Sequence, residues 1–172
     1  MLDTILEVLN VLGYISTVIV ILSAIVATVL CFRGFVPVLI RLGNGLWKRK
    51  IAIIAKGDAL IGLENMLHDS KLFNRTNILK IPSESDLGIA EQASLFLVYW
   101  PDWKDNDDME KILAHKEDST ALIVYAPQEH GFIPQPVMHA LEKKRNVVVN
   151  NFRGRLLNDI VVSMITTGYE KK

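Results

Sequence analysis

The stretch Asn-Asn-Phe-Arg-Gly-Arg at 150–155 sets two arginines around a glycine, just where an apolar run gives way to a helical pattern. Guanidinium groups and the free N–H groups of a helix start both favour an anion. Asn151, Arg153 and Arg155 are therefore candidate ligand contacts; the competing reading leaves the arginines solvated or paired with Asp159 and Glu170. A second group, Gln128, Glu129 and His130, offers an amide and an imidazole, although a lone His130 is as readily an ordinary loop histidine. A third, Trp100, Pro101, Asp102 and Trp103, brings aromatic faces, one of which is expected at the ligand and the other in the core. Lys56, Gly57 and Asp58 complete the set. Aromatic rings stack on bases, amides read base edges and cations hold phosphates, so this mixture suits a nucleotide.

These groups act together only if the fold brings them to one edge. From Lys50 onward, short apolar runs at 51–55, 78–81, 95–100, 121–125 and 147–150 alternate with helical patterns at 59–70, 85–92, 107–115, 134–144 and 154–167. The runs are continuous rather than alternating in polarity, as parallel strands covered on both faces are. The expected fold class is α/β, a doubly wound parallel sheet in the order 2-1-3-4-5 with right-handed crossovers, flavodoxin-like or TIR-like. In such a sheet ligands bind beyond the carboxyl ends of the strands, and every candidate above falls there.

Covalent chemistry has less behind it. The sequence holds no HExxH, GxSxG or P-loop, and its histidines, 68, 115, 130 and 139, lack metal spacing. No catalytic residue, metal or cofactor is expected. Phosphorelay receivers share this topology, and Asp58 and Asp102 occupy about the right places. Yet the first carboxylate is single, Ala126 stands where a hydroxyl is expected, and no lysine ends strand 5. NAD-cleaving TIR domains need a glutamate on the helix after the third strand; Glu110 lies there, which keeps a membrane-anchored NAD hydrolase as the alternative.

Ahead of this domain, residues 8–32 carry no charge. As a helix of about 1.5 Å per residue they reach about 37 Å, enough to cross a hydrocarbon core of about 30 Å with some tilt. A transmembrane helix at 1–32 is expected, followed by a basic interfacial linker at 33–49 and a cytosolic ligand-binding domain at 50–172. All 19 Lys and Arg residues follow the span, whereas Asp3 and Glu7 precede it, which predicts a cytoplasmic C-terminal side. Past the span the 19 basic residues meet all but two of the 19 acidic ones, a balance that speaks against a long nucleic acid as partner. In the linker, Pro37 is expected to start a short helix and Gly43 and Gly45 to end it. The small residues Gly13, Thr17, Ala24, Ala27 and Cys31 share a helix stripe with Val20, which reads either as a homo-oligomer interface or as ordinary membrane-helix composition.

The combination of a membrane helix, the segment RLGNGLWKRKIAIIAKGD, and the stretches YAPQEHGFIP and NNFRGRLLNDI resembles the membrane-anchored, cyclic-oligoadenylate-responsive effectors of type III CRISPR antiviral defence. The resemblance implies a cytosolic domain that binds a cyclic oligonucleotide, cyclic tetra-adenylate above all, and an oligomeric, single-pass membrane part that then perturbs the bacterial inner membrane.

Overall fold

The computed structural model describes residues 2–130 and 132–167. The chain divides into two compact units, Met1–Gly43 and Asn44–Lys172. One helix, α1, runs from Leu2 to Lys48. Within it Leu9–Pro37 has a mean hydropathy of 2.7, and none of that stretch is buried, so by length and composition it suffices to cross a membrane. Three of its hydroxyls bond along the helix itself: Ser16 and Thr17 both donate to the Gly13 carbonyl (2.9 and 2.8 Å) and Thr28 donates to that of Ala24 (2.8 Å).

The separate linker helix is a correction. Pro37 lies inside α1, and Gly43 and Gly45 do not end it. A proline removes one helical N–H and crowds the preceding turn, and each glycine costs about 1 kcal/mol relative to alanine. Near the end of α1, Leu46 packs against the core of the second unit, to which it belongs.

That unit is a five-stranded, all-parallel sheet in the order β2-β1-β3-β4-β5, as the sequence predicts. Its strands are β1 (Ile51–Ile54), β2 (Ile78–Ile81), β3 (Leu95–Tyr99), β4 (Ala121–Tyr125) and β5 (Val147–Asn150). The helices are α2 (Gly57–Asp69), α3 (Leu87–Ala90), α4 (Asn106–Ala114), α5 (Gln135–Glu142) and α6 (Arg153–Thr167). Strand side chains alternate between faces, and on the inner strands β1, β3 and β4 both faces are covered, which is why those strands read as continuous apolar runs. Ile51, Ile53, Leu95, Leu97 and Ile123 pack under Leu60, Leu63 and Leu67 of α2 and Leu156, Ile160 and Met164 of α6. Ala52, Ile54, Phe96, Val98 and Val124 pack under Leu87 of α3, Met109 and Ile112 of α4, and Val137 and Leu141 of α5. The helix expected at 85–92 is shorter than its pattern: a 3-10 turn, Glu84–Asp86, leads into the four residues of α3.

Candidate functional site

The carboxyl ends of β1, β3, β4 and β5 lie side by side, so the loops that follow them share one edge of the sheet. The chain leaves β1 through Ala55 and Lys56 and enters α2 at Gly57, whose φ of +50° belongs to the left-handed region that favours glycine. There the loop meets the one after β3. The Lys56 N–H donates to the Asp102 carboxylate at 2.6 Å, and the Lys56 ammonium donates to the Asp102 carbonyl at 3.2 Å. The same ammonium stands 4.4 Å from the centroid of the Trp103 ring, within cation–π range. Trp103 is itself buried, and its indole N–H has no hydrogen-bond partner among the described residues.

Strand parity decides which aromatic reaches the edge. Trp100 continues the alternation of Phe96 and Val98, faces the layer of α3, α4 and α5, and is 2% exposed. Expected as a stacking surface, it is a core residue. One position earlier, Tyr99 faces the opposite side and is partly exposed. It is the register partner of Tyr125, the last residue of β4, and their ring centroids lie 5.8 Å apart with the planes tilted by 46°. The His130 ring meets Tyr99 edge to face at 6.2 Å. The loop holding His130 is tied back by the Lys104 ammonium, which donates to the His130 carbonyl at 3.3 Å.

The loop after β5 supplies the cation. Buried Asn150 donates through its amide to the Asp159 carboxylate of α6 and accepts the Phe152 N–H at 2.8 Å. This turn launches α6 with Arg153 as its first residue. The Arg153 guanidinium donates to the Gly62 carbonyl of α2 at 3.3 Å and lies near enough to both tyrosines to affect their ionisation. Burial raises the Tyr99 hydroxyl above its ordinary pKa, and Asp102, Tyr125 and Glu129 push it the same way, while Arg153 opposes them. Tyr125 is raised by burial and by Glu129, again against Arg153. At neutral pH both phenols are protonated donors beside an arginine.

No protein-family model, curated protein or solved structure matches this chain. The chemistry of the edge is therefore argued from its own residues.

Of the residues singled out from sequence, Lys56 meets Asp102 and Trp103 of the loop after β3, His130 meets Tyr99 at the end of β3, and Arg153 bonds Gly62 of α2. Gln128 and Asn151 are exposed on the loops after β4 and β5, and Arg155 is exposed in the first turn of α6. Asp58 is exposed in the first turn of α2, where its charge complements the helix dipole. Tyr99 and Tyr125 fall within the apolar runs at 95–100 and 121–125, where the sequence marks them as strand residues and not as site candidates. Their signal is positional: each is the aromatic residue that ends an apolar strand. Glu110, on which the NAD hydrolase alternative depends, is exposed on α4 and lines a groove of about 490 Å³ with Pro136, His139 and Lys143 of the α5 region. None of the strand-end residues lines that groove. Among the described residues there is no group of His, Cys, Asp and Glu side chains able to hold a metal ion.

Proposed function

We propose that the protein is a single-pass effector of antiviral defence in the bacterial inner membrane, whose flavodoxin-like cytosolic domain binds a cyclic oligonucleotide, with cyclic tetra-adenylate as the ligand. The observation that carries this reading is the convergence of Tyr99, Tyr125, His130 and Arg153 from three adjacent loops, with Lys56 on the fourth. Arg153 and neutral phenols supply donors for phosphodiester oxygens, while the exposed His130 ring and the partly exposed Tyr99 ring supply stacking faces for bases; Tyr125 is itself buried. A ligand that repeats one phosphodiester and one base suits a homo-oligomer, in which each copy presents the same contacts. Binding alters the membrane state only where the two conformations differ in affinity, and α1 is the element in contact with lipid in this reading.

The test is a calorimetric titration of the full chain in detergent micelles with cyclic tetra-adenylate, compared with the Arg153→Ala variant. Loss of one charged hydrogen bond predicts binding weaker by about tenfold or more. Equal affinity in the two proteins, or no binding to the unaltered chain, sinks the reading.

A further inference from the structure

The amino end of the β1–β2 pair is basic. The two strands run parallel and start together, Ile51 beside Ile78, so the chain entering β1 and the loop from α2 into β2 lie at the same end of the sheet. The first brings Lys48, Arg49 and Lys50, the second Lys71 and Arg75, and residues 46–50 and 69–77 hold a single carboxylate, Asp69, against these five cations. The acidic pair Glu117 and Asp118 precedes β4, on the far side of β3. At the carboxyl end the balance reverses: residues 102–108, after β3, set Asp102, Asp105, Asp107 and Asp108 against Lys104.

The loop from α2 to β2 is held at several points. Phe73 is buried in the core that α2 and α6 share. The Lys71 N–H donates to the His68 carbonyl at 3.1 Å, the Leu72 N–H to the Ser70 hydroxyl at 3.3 Å, and the Thr76 N–H to the Asn74 side chain at 3.1 Å. Lys71 has a φ of 55°, in the left-handed region, at a place just past a helix end where glycine is the usual residue. In this setting Leu72 stands 40% exposed, with Lys71 and Arg75 exposed on either side of it in the chain. Neither of these cations, nor exposed Lys48, pairs with a carboxylate among the described residues.

We propose that this loop docks on an anionic lipid surface, with Leu72 entering the headgroup layer and Lys71 and Arg75 meeting lipid phosphates. An apolar side chain between two cations suits the boundary of headgroups and acyl chains, where buried apolar area and charge attraction add. The chain supplies proximity. Leu9–Pro37 is long and apolar enough to cross a membrane, and the part of α1 beyond Pro37 is about 16 Å long, so a patch too weak to hold a free protein on a bilayer acts here at high local concentration. The same surface repels the acidic residues 102–108 at the other end of the strands, which makes the amino end the one that meets lipid. The inference rests on α1 crossing the membrane and makes no use of the nucleotide reading.

The experiment is hydrogen exchange, read by mass spectrometry, on the full chain in nanodiscs of phosphatidylcholine alone and in nanodiscs that also contain phosphatidylglycerol. In the anionic discs the amides of 71–75 are expected to exchange at least about fivefold more slowly, while those of 102–108 do not change. The Lys71→Gln, Arg75→Gln double variant should abolish the difference between the lipids. Should that variant unfold, about 0.5 M salt applied to the unaltered chain decides instead, because screening removes an electrostatic contact. Equal exchange in the two lipids, or slowing that survives the double variant or the salt, overturns the proposal. Slowing of 71–75 in both kinds of disc relative to detergent micelles also overturns it, by making another copy of the chain the occupant. A chain that does not stay in the disc overturns the reading of α1 and this proposal with it, whereas a chain that stays and shows equal exchange overturns the proposal alone.

Discussion

Tyr99 and Tyr125 mark the point where a strand end becomes a place for chemistry. Burial raises both hydroxyls, chiefly because a phenolate loses more hydration than a phenol on leaving water. The sign of the consequence follows from proton linkage. A raised folded pKa means the native state holds its proton more tightly than the unfolded chain, so the associated stability is complete below pH of about 10 and is lost as pH rises through the raised values. The urea midpoint of the full chain in detergent should therefore fall between pH 10 and the raised values, with a shallower fall in the Tyr99→Phe, Tyr125→Phe double variant. Identical slopes in the two proteins would show that the tyrosines do not carry the effect. Arg153 restrains both shifts, which ties the cation and the phenols into one electrostatic group.

At the scale of elements, the turn between β5 and α6 sets where Arg153 stands. Asn150 is 5% exposed and spends both ends of its amide, one on Asp159 and one on the Phe152 N–H. Alanine there leaves a carboxylate and a backbone donor without their partner. Such a loss costs about 1–3 kcal/mol, to be read as a lower urea midpoint for Asn150→Ala. Because α6 begins at Arg153, the same variant should also weaken cyclic tetra-adenylate binding although it removes no ligand contact. A lower midpoint with unchanged affinity would confine Asn150 to stability. The turn was only partly legible beforehand: the stretch 150–155 stood out for its arginines, but the role of Asn150 depends on Asp159 being one helix turn and more away in sequence yet beside it in space.

For the whole molecule, the division between a long apolar helix and an α/β unit follows from composition. Leu9–Pro37 has no buried residue and is long and apolar enough to cross a membrane, and the hydroxyls of Ser16, Thr17 and Thr28 bond to carbonyls of the same helix. The full chain should remain with the membrane fraction after an alkaline carbonate wash, and a chain lacking residues 2–43 should be released. Release of the full chain by that wash would assign the helix another role.

The strand order and most strand limits were determined by the sequence itself; the runs at 51–55 and 95–100 each extend one residue past β1 and β3. The runs at 78–81, 121–125 and 147–150 match β2, β4 and β5 to the residue; central β4 is buried at every position and leaves an uninterrupted apolar trace, while outer β2 and β5 keep enough apolar residues to be read despite exposed Lys80 and Val149. What only the tertiary structure decided is which side chains face the edge. Trp100 and Tyr99 are neighbours of similar character, and local pattern does not separate them; the pleat sends one into the core and the other to the edge, and the register with Tyr125 then makes a pair of it. The linker shows the same division. Pro37 and the glycines predict a break when read locally, yet α1 continues to Lys48, since propensity at a few positions is a weak signal within a helix of 47 residues.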